Sequence, residues 1–297
     1  MIRLIKSKIV VFFYLLFVSI WILLFSGCVL PDRLRANSTE TSVAPLPLLD
    51  DNVNSLAQIQ ARGIMRVGTA ITEPFEYRDP DTGELMGFDI DTIQYIADQL
   101  GVELVWVEMP FANLIPALDD RKVDMTIAAM YINPEREEQV DFSEPYFNTG
   151  LVMVARPALQ AHIVTVQDLA GLKVGVKIGA TGAALAQDLM AQGIGLESKE
   201  YKDTFDSFLD LEVGRVDIVF NDYLNSLAYI KDTQADFQII TNDSGEIEFL
   251  SQVGLGIAVH SGDQELLDQV NKALLEMKEN GTFDQLKAIW LMPISDR

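Results

Sequence analysis

The sequence has little of what most metal sites, redox frameworks and nucleic-acid surfaces are made of. It holds one cysteine and two histidines, and 22 lysines and arginines stand against 44 acidic residues. A single cysteine excludes an internal disulfide framework and a zinc ribbon. His162 and His260 lie far apart in the chain with no Cys or His neighbour to complete a metal set or a catalytic triad, so no metal and no cofactor is expected. A formal charge of −22 argues against nucleic acid, whose affinity comes mainly from phosphate neutralisation by Lys and Arg. It suits a soluble body that does not bind surfaces indiscriminately.

The N-terminus is the one basic, strongly apolar stretch. "MIRLIKSK" carries Arg3, Lys6 and Lys8, the run Ile9 to Phe25 is apolar or nearly so, and Ser26-Gly27-Cys28 follows. That order is a basic n-region, an apolar h-region and a small-residue processing site, although the run is also just long enough to serve as a retained membrane anchor. Removing residues 1–27 takes three basic residues and no acidic one, leaving 19 basic against 44 acidic and a net charge of −25. Residues 28–54 are rich in Ser, Thr, Asn and Pro and lack apolar periodicity, which predicts a flexible stalk.

From Leu56 onward strands and helices alternate. "IMRVGTA" and "VELVWVEM" read as strands, "FDIDTIQYIADQLG" as an amphipathic helix closed by Gly101, and "DPDTGE" as a turn. Such alternation predicts α/β layers around parallel sheets. The chain also resembles itself loosely. "ALDDRKVDMTIAAM" and "DLEVGRVDIVFND" share Leu, a basic residue, Val-Asp and then an apolar strand. Two similar lobes fit that recurrence better than one continuous sheet, and two chain crossings between them would make a hinge.

The stretch "GRVDIVFND" poses the functional question. Val216 to Phe220 is almost wholly apolar, as a strand buried on both faces should be, and yet it delivers Asn221 and Asp222 at its tip. In an open α/β sheet the C-terminal ends of strands face the ligand crevice. The residue types alone also allow Asp222 to be the N-cap of the following "YLNSLAYI" helix. They equally allow Arg136 in "NPEREE" to be a surface ion pair with Glu135, Glu137 or Glu138.

The series "RVGTAITEPFEY…GELMGFDIDTIQYIADQLG", "FANLIPALDDRKVDMTIAAMYINPEREEQVDFSEPY", "LKVGVKIGATG", "GRVDIVFND" and "NKALLEMKENGTFDQLKAIW" resembles the family 3 solute-binding proteins of polar amino-acid ABC importers, over roughly Leu56 to Trp290. The N-terminus resembles a bacterial lipoprotein signal in which Cys28 receives lipid, with Phe25 departing from the usual Leu. The resemblance implies an α/β, two-lobed periplasmic-binding-protein-like fold, each lobe a sheet flanked by helices, joined by a two-crossing hinge. Residues 1–27 are then the signal, 28–54 the stalk, 55–145 with 251–297 the first lobe, and 146–250 the second. It implies a monomeric, lipid-anchored extracytoplasmic receptor, not an enzyme, that hands an amino acid to a permease and ATPase complex. A sensing module for a membrane partner, or a dehydratase on the same scaffold, are the alternatives.

By that resemblance Arg136 clamps the ligand α-carboxylate and Asp222 receives the α-ammonium. Phe111 stands where an aromatic lines the ligand side chain, with a core Phe as the bland reading. Ala129 and Tyr131 fall in the backbone-contact segment, where Gly and then Ser or Thr are usual. Lys177 and Thr181 match a second-lobe loop at a helix start, although Lys177 also reads as a solvated lysine. The first loop has Ala70 where an acidic residue is usual, which leaves Glu73 as the substitute.

Overall fold

A computed structural model describes residues 55–160, 162–163, 165–242 and 244–292. The signal segment, the stalk and the lipidation assigned to Cys28 lie outside the described residues. Among those described, no helix is long and apolar enough to cross a membrane.

The first lobe starts with β1 (Ile64–Thr69), a short hairpin of β2 (Tyr77–Arg78) and β3 (Leu85–Met86), then β4 (Glu103–Glu108), β5 (Met125–Thr126) and β6 (Val140–Phe142). The chain passes into the second lobe through β7 (Phe147–Ala155), followed by β8 (Lys173–Lys177), β9 (Glu197–Tyr201), β10 (Ile218–Asp222), β11 (Gln238–Ile239) and β12 (Phe249–Leu255). It then returns as β13 (Ala258–His260). The first sheet has the order β4-β1-β5-β13-β6 and the second β11-β7-β10-β8-β9, with β12 also paired to β7. Both sheets are mixed. β4, β1 and β5 are parallel, as are β9, β8 and β10, while β13 and β7 run antiparallel to β5 and β10 respectively.

The two parallel halves are one unit built twice. Each runs strand, helix, strand, helix, strand: β1, Phe88–Leu100, β4, Leu114–Asp119 and β5 in the first lobe; β8, Thr181–Ala191, β9, Thr204–Glu212 and β10 in the second. The helix read from "FDIDTIQYIADQLG" spans Phe88–Leu100, and Gly101 closes it in the left-handed conformation with its N–H on the Ala97 and Asp98 carbonyls. At its other end Gly87 has φ 131°, and a Cβ there would lie 2.3 Å from the Phe75 carbonyl oxygen. Only glycine fits, and the fit seats the helix on the "PFEY" segment, with Asp89 N–H donating to the Phe75 carbonyl at 2.8 Å.

The core of the first lobe gathers Phe75, Phe88, Tyr146, Phe147 and Phe283, with Phe88 edge-on to Phe283 at 5.3 Å and to Phe147 at 5.8 Å. This cluster joins the loop after β1, the outgoing crossing and the C-terminal helix Thr282–Trp290. The outgoing crossing covers the four residues Ser143 to Tyr146, between the end of β6 and the start of β7. The return lies further along than Ser251, because β12 keeps pairing with β7 as far as Leu255 opposite Phe147. The sheet-to-sheet step is therefore Gly256–Ile257. A Cβ on Gly256 would meet the Phe142 ring at 2.7 Å, so the two crossings press together where a side chain cannot fit.

Candidate functional site

A cleft lies between the C-terminal ends of the parallel strands of the two sheets. Its walls include Thr72, Phe111, Ala129, Tyr131 and Arg136 from the first lobe, and Lys177, Thr181 and Asp222 from the second. Its open space is about 460 Å³, part of it continuous with solvent.

Arg136 owes its position to the sequence "NPER". Asn133 is the N-cap of the turn Pro134–Glu137, its side chain accepting from Arg136 N–H, and Pro134 fits the first turn, where no N–H is needed. The buried guanidinium donates from Nη1 to the Tyr131 carbonyl at 2.7 Å and from Nη2 to the Gly179 carbonyl of the second lobe at 3.0 Å. Both partners are neutral carbonyls rather than carboxylates. Burial lowers its pKa to about 10. Two cations lie over the Phe111 ring, the Arg136 guanidinium 5.3 Å and the Lys177 ammonium 4.9 Å from its centroid.

Asp222 ends β10 and caps the helix Tyr223–Thr233, its Oδ1 accepting from Leu224 N–H at 2.8 Å and Asn225 N–H at 3.1 Å. Its Oδ2 accepts from the Tyr131 hydroxyl across the cleft and from the Thr149 hydroxyl, both at 2.8 Å. Burial pulls the carboxyl upward in pKa and the four donors pull it back. Lys177 Nζ donates to Thr72 Oγ1 of the opposite lobe at 3.1 Å, and burial lowers its pKa against the attraction of Glu76, Asp203 and Asp222.

The structure therefore brings together seven of the eight residues singled out in the cleft: Arg136, Asp222, Phe111, Ala129, Tyr131, Lys177 and Thr181. Glu73 is outside the lining. Its carboxyl faces Asp232 on the Tyr223–Thr233 helix, where burial and then that neighbour raise its pKa to about 7, and its carbonyl accepts from Asn225 Nδ2 at 2.6 Å.

The acidic residues that do approach the cleft are Glu76 and Asp89, both wholly buried behind its wall. Asp89 Oδ2 accepts from Ala129 N–H at 2.9 Å and from the Tyr146 hydroxyl at 3.0 Å. Burial raises Asp89 to about 6 and, with the Asp89 charge, raises Glu76 well above the usual range. Asp89 thus holds Ala129 in the left-handed region at φ 45°, a conformation that costs a non-glycine residue roughly 1–2 kcal/mol. The one signal for Asp89 was the "GFDID" start, where an acid so early in an amphipathic helix reads as a solvated dipole partner. Thr149, in the middle of a strand pattern, carried no signal.

With this geometry in place, the chain can be set beside known proteins. The profile of the bacterial extracellular solute-binding proteins, family 3, matches residues 65–293. The L-cystine-binding protein TcyJ of Escherichia coli (strain K12) is 31% identical, over 79% of this chain and 85% of that protein. An L-arginine-binding protein of Pseudomonas aeruginosa is 32% identical, over 82% of this chain and 94% of its own. Among solved structures, an ancestral arginine-binding protein bound to arginine superposes with a TM-score of 0.71 at 39% identity, covering 77% of this chain and 98% of that one. All three are named as binding proteins.

Proposed function

The chain belongs to the bacterial extracellular solute-binding proteins of family 3 and is a binding protein rather than an enzyme. From that premise we propose that it is a lipid-anchored extracytoplasmic receptor that takes an amino acid between its lobes and delivers it to an ABC importer. The observation that carries the reading is one pair of buried opposite charges: the Arg136 guanidinium of the first lobe and the Asp222 carboxylate of the second share one small cleft. A guanidinium matches a carboxylate in bidentate geometry, and a carboxylate is the natural acceptor for an ammonium. An α-amino acid supplies both partners at once. Its ammonium exchanges with the Tyr131 hydroxyl on Asp222 Oδ2, and its carboxylate gives Arg136 an anion in place of two carbonyls.

Because the two charges come from different lobes, a ligand that bridges them favours the closed arrangement over the open one. Residues 55–145 and the C-terminal part after β12 would move as one body, and the second lobe as the other, about the crossings at 143–146 and 256–257. Cys28 would carry the lipid, and a mature charge of −25 would give the anchor no basic help at an anionic membrane surface.

The test is a thermal-melt screen of the full chain, in mild detergent, against the twenty amino acids. A specific ligand at a hundredfold excess over its dissociation constant should stabilise by about 2.7 kcal/mol. If none of the twenty moves the melt, the amino-acid reading fails. For the anchor, Cys28→Ala should shift the protein from the detergent phase to the aqueous phase, and unchanged partitioning would refute lipidation.

A further inference from the structure

The charges in the cleft wall are not balanced in the hydrogen bonds they have to offer. The ionised side chains lining it are two cations, Arg136 and Lys177, and one anion, Asp222. A carboxylate offers about four lone-pair sites, and Asp222 has four protein donors: Leu224 N–H, Asn225 N–H, and the hydroxyls of Tyr131 and Thr149. A ligand ammonium reaches it only by exchanging with one of these. No acceptor is left there for a second cation. The cations are in the opposite position. The Lys177 ammonium has three donors, of which one meets Thr72 Oγ1 while the group lies over the Phe111 ring.

The acids nearby do not change this balance. Glu73 faces Asp232 outside the lining. Glu76 and Asp89 lie behind the wall: Asp89 Oδ2 is taken by Ala129 N–H and the Tyr146 hydroxyl, and Glu76, the strongest attraction on the Lys177 ammonium, makes no hydrogen bond with it and is held well above the usual carboxyl range by burial and the Asp89 charge. At the end of β1, the buried Ala70 packs with Phe111, Leu114, Ala128 and Met130 as an apolar cluster. A guanidinium or ammonium on a ligand side chain would therefore be desolvated beside Lys177 with no carboxylate to receive it, and an unpaired buried charge is the costly arrangement.

We propose that Lys177 sets the specificity of this cleft: it receives a ligand side chain that ends in an oxygen acceptor, a dicarboxylic amino acid before its amide, and it rejects cationic side chains. This rests on the amino-acid reading above and narrows it. It also separates this chain from relatives named for arginine, 32% identical to it in one case.

The experiment is titration calorimetry of the full chain in detergent with L-glutamate, L-glutamine, L-aspartate, L-arginine and L-lysine. Glutamate, aspartate or glutamine should bind at least a hundredfold more tightly than arginine and lysine. Lys177→Met should cut the preference for glutamate over arginine by at least thirtyfold, while Lys177→Arg, which keeps the charge and controls for folding, should retain most of it. Tighter binding of arginine or lysine by the parent overturns the proposal and leaves the amino-acid reading standing. So does a glutamate-to-arginine ratio that Lys177→Met changes by less than threefold. Failure of all five, together with the other amino acids of the screen, overturns both.

Discussion

In the first lobe Asp124 precedes β5 with its carboxylate on the Arg66 N–H at 2.6 Å, and its own N–H donates to the Arg66 carbonyl at 2.9 Å. In the second lobe Asp217 precedes β10 with its carboxylate on the Lys173 N–H at 2.9 Å, and its own N–H donates to the Lys173 carbonyl at 2.8 Å. The Val-Asp repeated in the sequence is thus one clip used twice, holding the third parallel strand to the first. What differs is the surroundings. Asp124 is buried between the guanidinium groups of Arg62 and Arg66, whereas Asp217 is partly exposed, with Arg156 at 3.6 Å. The strand tips diverge further. Beyond β5 the chain bends through Ala129 in the left-handed region to reach Arg136, while β10 runs straight out to Asp222. Duplicate scaffolds therefore carry opposite charges at their rims.

The comparison can be broken most severely at the clip. Asp124→Asn leaves the buried Arg66 and the largely covered Arg62 without their anion and should cost about 3–5 kcal/mol, whereas Asp217→Asn, at a partly exposed pair, should cost about 1 kcal/mol or less. Denaturant unfolding of both variants measures the difference, and equal losses would mean that the two clips are energetically alike.

The rims come next. Arg136→Ala and Asp222→Asn each remove one partner of a desolvated charge pair and should weaken amino-acid binding by about 2–5 kcal/mol, roughly thirtyfold to several thousandfold. Asp222→Asn should spare analogues lacking the α-amino group, and Arg136→Ala should spare none. Calorimetry with the ligand found by the melt screen decides, and both variants binding within threefold of the parent would sink the assignment. Tyr131→Phe sharpens the contrast from the other direction. It frees one lone pair on Asp222 and removes a hydrogen bond worth a net 0.5–1.5 kcal/mol or so, so an α-amino acid should bind about two- to tenfold more tightly.

A smaller effect depends on pH. Glu73 on the first lobe is raised from 4.5 to about 7, first by burial and then by Asp232 on the second lobe. A carboxyl raised in the folded state adds stability that is complete below its unfolded value and disappears as pH rises through the folded one. The melting temperature should therefore fall between about pH 4.5 and 7, and Glu73→Gln should flatten the curve. Part of the slope will remain, since Asp89, raised to about 6, and Glu76 titrate in the same sense. The smallest change is Ala129→Gly, which relieves the left-handed strain but loosens the unfolded chain, for a net shift within about 1 kcal/mol.

Legibility in the sequence followed locality. The tip of β10 could be seen because an apolar strand ending in Asn-Asp breaks its own pattern. The position of Arg136 could be seen because Asn-Pro-Glu-Arg sets its own turn, and the helix ending at Gly101 because its stop signal is adjacent. Glu76 and Asp89 could not be seen, since each looks solvated beside its neighbours and is buried only when the "PFEY" loop docks against Gly87. Glu73 was misplaced for the same reason: only Pro74 and Phe75 separate it from Glu76, and only the fold determines which of the two faces the cleft wall. The return crossing ran past Ser251 because strand length there depends on a partner, β7, about a hundred residues away in the chain.

The position of β13 has a consequence for how the molecule is assembled. Its three residues, Ala258–His260, are inserted between β5 and β6 in the middle of the first sheet, not at its edge. The second lobe is a continuous stretch from β7 to β12 and has all its strands once Leu255 has been made. The first lobe, although its chain begins earlier, keeps two interior strand edges unpaired until about the last seventh of the polypeptide arrives. Domains generally fold as units, and here the unit that begins first is the one completed last.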